Sequence, residues 1–218
     1  MRDLLRAIVA EDAVISREKY LNAAVLVPFF ECEGEPWLLF EKRSQYVRQS
    51  GEISFPGGAW EQGDTSFRET AVRETVEELG VSRDQIEVLG KLGTLVTPGG
   101  VLVEAYLGLL EVADVSALNF DRREIDYLVQ VPLAFLYEHP PQHYRLATET
   151  YPYSDQDGER VVFPAQELAL PERYHRPWRG RDREVYLYRY EGEVIWGITG
   201  EILHEVVRRL QRHTISVG

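Results

Sequence analysis

Sulfur is nearly absent from the 218-residue chain, which has one cysteine and one methionine. Cys32 alone cannot close an intramolecular disulfide, so no disulfide framework holds the fold, and a reducing compartment suits it. Long apolar runs are missing too. The longest uncharged apolar stretch, Leu21 to Phe30, falls well short of the roughly 18 residues that suggest a membrane-spanning helix. Charges interrupt the opening Met1-Arg2-Asp3-Leu4-Leu5-Arg6, which leaves no apolar centre for a secretory signal. Positive charge is in short supply as well: 24 Lys and Arg face 36 Asp and Glu, a net charge of −12. Non-specific attraction to nucleic acid or to an anionic membrane is therefore not expected. These absences predict a cytoplasmic protein with no nucleic-acid and no membrane partner.

What is present suits a globular domain. Hydrophobic residues make up 44% of the chain and aromatics 11%, enough for a sizeable core. At about 150 residues per domain, the length predicts one domain over 1–218 with elaborations. Leu4, Leu5, Ile8 and Val9 have helical spacing, so 1–20 reads as a helical extension. Two hairpins follow from extended apolar segments joined by turn residues: Leu21–Val27 with Trp37–Phe40, and Ile86–Val96 with Val101–Leu110 around Thr97-Pro98-Gly99-Gly100. Pro132 to Tyr137 reads as a short helix, and 138–183 as a long irregular insertion rich in Pro, Tyr and Arg. A third hairpin over Val185–Gly197 and an amphipathic helix over Glu201–Arg212 close the chain.

Chemistry concentrates in the middle of the first half. A glycine-rich loop (Gly51, Pro56, Gly57, Gly58, Gly63) precedes Ser66–Leu79, a run without Gly or Pro that ends at Gly80 in a helix C-cap position. On a helical wheel Glu74, Glu77 and Glu78 share an arc of about 100°, with Val72, Val76 and Leu79 opposite. Like charges at this spacing cost a helix about 0.2–0.5 kcal/mol per pair. Arg73 reaches Glu69 or Glu77, but one guanidinium cannot balance three carboxylates. A hard divalent cation with oxygen ligands, Mg2+ or Mn2+, is the natural counter-charge. Taken alone, the stripe reads more readily as a solvated acidic face.

The context of the stripe is specific. Gly57 to Val81 reads GGAWEQGDTSFRETAVRETVEELGV, which strongly resembles the Nudix box through Gly58, the Arg73-Glu74-x-x-Glu77-Glu78 core, Gly80 and Val81. The resemblance implies an α/β fold, the Nudix α/β/α sandwich with a mixed β-sheet, a glycine loop and a catalytic glutamate-rich helix. It also implies Glu74, Glu77, Glu78 and the Gly58 carbonyl as metal ligands, with Arg73 orienting the glutamates. Two departures stand out. Gly58 to Arg73 is one residue longer than the general box, and Thr65 occupies the place of its first glutamate, with Asp64 beside it as the candidate replacement.

Upstream, Arg43-Ser44, Arg48, Gly51 and Phe55-Pro56-Gly57-Gly58 are similar to the signature of the coenzyme A pyrophosphatase branch, as is Val194–Leu203 near the end. The interval from Arg48 to Gly51 is one residue short, and the histidine that often follows that arginine is missing. This branch implies cleavage of coenzyme A or its thioesters to 3′,5′-ADP and 4′-phosphopantetheine derivatives, with Arg43, Ser44, Arg48, Gly51 and Gly57 as substrate-binding residues. Guanidinium forks suit phosphate oxygens. Arg173, Arg176, Arg179, Arg181, Arg183 and Arg189 are a second basic group, suited to a 3′-phosphate or simply solvated, while Tyr174 and Trp178 either stack on adenine or anchor the segment.

Glu77 or Glu78 is the expected general base, since a water held at the cation site lies within reach of either. Glu104 interrupts an apolar strand and is the runner-up, with a solvent-facing position expected. The histidines read as surface or packing groups. Two alternatives remain: hydrolysis of another nucleoside diphosphate derivative such as ADP-ribose, or a Nudix domain that senses a ligand without catalysis. The intact glutamate set opposes the second. Hairpins such as Val185–Trp196 offer an edge for a homodimer.

Overall fold

The computed structural model describes residues 14–217, with the side chains of 156 and 214–217 left out. Most of the helix expected over 1–20 therefore lies outside the described residues; Arg17–Lys19 forms one 3-10 turn.

The strands are β1 (Leu21–Cys32), β2 (Glu35–Arg43), β3 (Ile53–Ser54), β4 (Gly57–Ala59), β5 (Ile86–Val96), β6 (Val101–Leu110), β7 (Ile125–Pro132), β8 (Gln142–Leu146), β9 (Glu149–Thr150), β10 (Tyr153–Gln156), β11 (Glu159–Val162), β12 (Trp178–Arg179), β13 (Arg183–Tyr190) and β14 (Glu193–Ile195). Three helices accompany them: α1 (Phe67–Leu79), α2 (Leu133–Glu138) and α3 (Gly197–Val217). The main sheet has seven strands in the order β3-β2-β1-β6-β5, with β4 on β1 and β7 on β2. It is mixed: β1 runs parallel to β6 and antiparallel to β2 and β4.

One edge of β1 is divided. Its C-terminal half pairs with β2 through Phe29↔Leu38, and its N-terminal half with β4 through Ala24↔Gly58. The sheet splits between these partners, and the glycine loop enters at the split. Alternation of side chains sends Ala24, Leu26 and Tyr106 to one face, where they pack with Ala71 of α1. Val27, Val103 and Ala105 go to the other, where Ile202, Leu203, Val206 and Val207 of α3 cover them. Two helices on opposite faces of one mixed sheet make an α/β/α sandwich.

Local chemistry explains α1. The Ser66 hydroxyl accepts the Glu69 N–H at 3.2 Å, and Gly80 ends the helix in the left-handed conformation with its N–H on the Val76 carbonyl. The segment 138–183, read as irregular, holds short strands. The hairpin β10–β11 closes on itself, β12 pairs with β9, and β8 pairs with β13. β13 has β14 on its other edge, so the outer strands of this small sheet are β8 and β14, the second of them part of the Val185–Trp196 hairpin. β14 packs on β3, and Lys42 Nζ bonds Glu193 at 2.6 Å, tying this sheet to the main one beside the glycine loop. No helix among the described residues is long and apolar enough to cross a membrane.

Candidate active site

β4 and α1 bring the box residues together. Gly57 pairs with Val25 and approaches β1 so closely that a Cβ there would sit 2.3 Å from the Ala24 carbonyl oxygen. Its N–H then points at α1 and donates to Glu78 Oε2 at 2.8 Å. A Cβ on Gly58 would lie 2.5 Å from the Glu74 carboxylate, so only glycine lets this side chain reach the loop backbone. Glu78 is 4% exposed, while the Glu77 side chain is 60% exposed. The carboxylate stripe thus runs from solvent into the protein; it is not a solvated face. Burial raises the pKa of Glu78, and repulsion from Glu41 and Glu74 adds to it. Burial likewise raises the pKa of Glu74, against the pull of Arg73.

Arg73 lies across this stripe. Its guanidinium contacts Asp64 at 3.0 Å, Glu74 at 2.9 Å, Glu77 at 3.2 Å and the Ala59 carbonyl at 3.3 Å. Glu69, a sequence-level partner for Arg73, is held by Arg83 instead. Asp64 also accepts the Glu61 N–H at 3.0 Å and the Thr70 hydroxyl at 2.8 Å. The bond from Arg73 and these two donors hold its pKa down at about 2 against burial. It therefore binds the loop to the start of α1, which is what a carboxylate beside Thr65 has to do. Among the described residues no three His, Cys, Asp or Glu side chains are already gathered around a point for a metal ion. Arg73 supplies the counter-charge in this arrangement.

The upstream residues divide into two kinds. The Arg43 Nε donates to the Arg48 carbonyl at 2.9 Å, and the Gly51 N–H donates to the Arg43 carbonyl at 2.9 Å, closing the loop 43–51. The Arg43 guanidinium comes within 3.8 Å of Glu41 Oε1, and the Arg48 side chain is exposed. Ser44 is 0% exposed; its hydroxyl donates to the Arg123 carbonyl at 2.5 Å, so it fixes the loop and has no surface to offer a substrate. Of the distal arginines, Arg179 pairs with Asp182 at 2.9 Å and Arg173 covers the Tyr174 ring. Tyr174 and Trp178 pack edge to face on each other at 5.3 Å.

Two carboxylates differ from the sequence reading. Glu104, expected on a solvent face, is buried between Lys91 at 2.8 Å, Arg17 and the Tyr106 hydroxyl at 2.8 Å. Burial works against its charge, but these three donors outweigh that and keep its pKa below the ordinary value. The strand lies under α1, not at the surface. Glu41 was not singled out at all. It is 1% exposed, takes the Ser54 hydroxyl on Oε1 at 2.9 Å, and has an unpaired Oε2. The available signal was a carboxylate directly after the apolar run Trp37–Phe40.

A glycine loop at a split sheet edge, feeding a helix whose glutamates turn inward under one arginine, is the arrangement that the box residues imply. Residues 20–186 match the NUDIX domain family. The chain belongs to the Nudix hydrolases. An uncharacterized Nudix hydrolase NudL of Photorhabdus laumondii is 31% identical over 191 residues, which span 87% of this chain and 85% of that protein. The NudL of Yersinia enterocolitica is 32% identical over 190 residues, 87% of this chain and 81% of its own length. Among solved structures, a MutT/nudix family protein from Enterococcus faecalis superposes with a TM-score of 0.52 over 97% of this chain and 68% of its own, at 15% identity. That similarity concerns the fold. The chain is thus a pyrophosphohydrolase of nucleoside diphosphate derivatives, in a family that uses divalent cations such as Mg2+ or Mn2+.

Proposed function

We propose that the Nudix hydrolase described here cleaves the pyrophosphate of coenzyme A or its thioesters, giving 3′,5′-ADP and 4′-phosphopantetheine derivatives. The observation that carries the reading is the loop from Arg43 to Gly58. It sets the Arg43 guanidinium beside the buried carboxylates and puts Arg48 at the open rim, in the arrangement that resembles the coenzyme A branch. A substrate with a pyrophosphate and a further phosphate suits guanidinium donors.

The donor set fits a hard divalent cation. Glu74, Glu77 and Glu78 offer only oxygen, Gly58 is the loop residue against which the Glu74 carboxylate rests, and burial disfavours the charge of Glu74 and Glu78 unless a cation meets it. A bound Mg2+ or Mn2+ supplies charge on the phosphate oxygens and acidifies water. The protein does the rest. Arg73 orients Glu74 and Glu77, Arg43 and Arg48 hold the phosphates, and Gly57 and Gly58 let the loop lie against β1 and the Glu74 carboxylate. Glu77, open to solvent, or Glu78 takes the proton of the attacking water; a pH–rate profile of Glu77→Gln separates the two.

Hydrolysis of coenzyme A and ADP-ribose, compared side by side with Mg2+ and Mn2+, tests the proposal. A higher kcat/KM for coenzyme A is expected, and a clear preference for ADP-ribose would overturn it.

A further inference from the structure

Glu41 is a buried carboxylate that the box chemistry does not use. It lies two residues beyond Leu39 on the same face of β2, and Leu39 packs with Leu79, the neighbour of Glu78 in α1. That register sets Glu41 opposite Glu78 beneath the helix. Ser54 occupies one of its oxygens; the other has no partner, although the residue is only 1% exposed. Arg43, at 3.8 Å, is beyond hydrogen-bond length and already bonds the Arg48 carbonyl. Buried carboxylate oxygens are costly unless a donor or a cation meets them, and a neutral donor satisfies a lone pair without offsetting the charge that Glu41 and Glu78 bring together. The orphan atom thus calls for positive charge, on a residue that shares the face of β2 on which Leu39 packs with Leu79 of the glutamate helix.

We propose that Glu41 is a fourth carboxylate of the divalent-cation site, with its Oε2 as the oxygen offered to the ion and its Oε1 fixed by Ser54. The Gly57 N–H plays the matching role on the other side, holding one oxygen of Glu78 and leaving its second for the same purpose. The inference rests on the reading of the box as a cation site, and adds a ligand from a strand that lies outside it.

Binding of Mn2+ to the chelator-treated full chain, followed by the electron paramagnetic resonance of free Mn2+ without substrate, tests this. Glu41→Gln keeps the shape and an acceptor for Ser54, and Glu41→Asp keeps the charge but withdraws the oxygen. Ligation predicts that both weaken Mn2+ binding by about tenfold or more, as Glu78→Gln does. Wild-type affinity in either Glu41 variant, beside a loss in Glu78→Gln, overturns the role of Glu41 and leaves the box intact. Wild-type affinity in Glu78→Gln overturns the cation reading of the helix itself, and this inference with it. The two Glu41 variants are independent, so one that fails to fold leaves the other to decide.

Discussion

Asp64 and Arg73 are joined by two bonds, Nε to Oδ1 at 3.0 Å and Nη2 to Oδ2 at 3.2 Å, that fasten the glycine loop to the glutamate helix. The same guanidinium touches Glu74 and Glu77, so the loop carboxylate sets the orientation of both through one side chain. Asp64→Ala frees Arg73 and leaves the Thr70 hydroxyl and the Glu61 N–H without this acceptor. Stability is expected to fall by about 1–3 kcal/mol and kcat by about 10- to 100-fold, with KM less affected. Urea denaturation and steady-state kinetics measure both; unchanged kcat would deny Asp64 its positioning role.

Gly58→Ala tests the close approach directly. The new methyl would lie 2.5 Å from the Glu74 carboxylate and must displace it. A misplacement of this kind costs about 100-fold in rate, while the strand pairing of β4 with β1 asks nothing of the side chain. Circular dichroism is expected to show an intact fold beside the lost activity. Activity close to wild type would mean that Glu74 need not reach the loop.

Legibility followed the range of the interactions. α1 announced itself through Ser66, an unbroken run and Gly80, and the β5–β6 hairpin through Thr97–Gly100, because caps and turns are settled by neighbours in sequence. Glu41 and Glu104 were opaque for the opposite reason. A carboxylate in a strand reads as solvent-facing unless its partners are known, and those of Glu104 come from Arg17, 87 residues away, and from Lys91 on β5. Ser44 was legible as part of a signature, but its buried bond to Arg123, 79 residues on, was not. β8 reads as irregular until β13, some 40 residues later, pairs with it.

The buried carboxylates predict how metal-free protein responds to pH. Glu41 and Glu78 both have pKa values raised above the ordinary 4.5, chiefly by burial, so the folded state holds their protons more tightly than the unfolded chain does. Their contribution to stability is therefore fully present below about pH 4.5 and is lost as pH rises through the raised values. Thermal melts in chelator are expected to show stability falling from weakly acid to alkaline pH, with a shallower fall in Glu78→Gln. Saturating Mn2+ should flatten the slope, because a cation favours the ionised form. A wild-type slope in Glu78→Gln would count against this account.

Glu104 separates a structural carboxylate from a catalytic one. Its neighbours Lys91, Arg17 and Tyr106 all donate to it, taking three of its about four acceptor positions, and at 5% exposure it is closed off from water. Glu104→Gln is therefore expected to cost stability, about 1–3 kcal/mol once solvent screening of the half-exposed Lys91 is allowed for, and to leave the pH–rate profile in place. The sign with pH is opposite to that of Glu78. Because the folded pKa of Glu104 is lowered, its contribution is present above the ordinary 4.5 and disappears as pH falls through the lowered value. Urea denaturation at neutral and at acid pH should show the gap between wild type and Glu104→Gln closing in acid. A lost acid limb in the rate profile would instead make Glu104 the base, and would require Arg17 and Lys91 to release it during turnover.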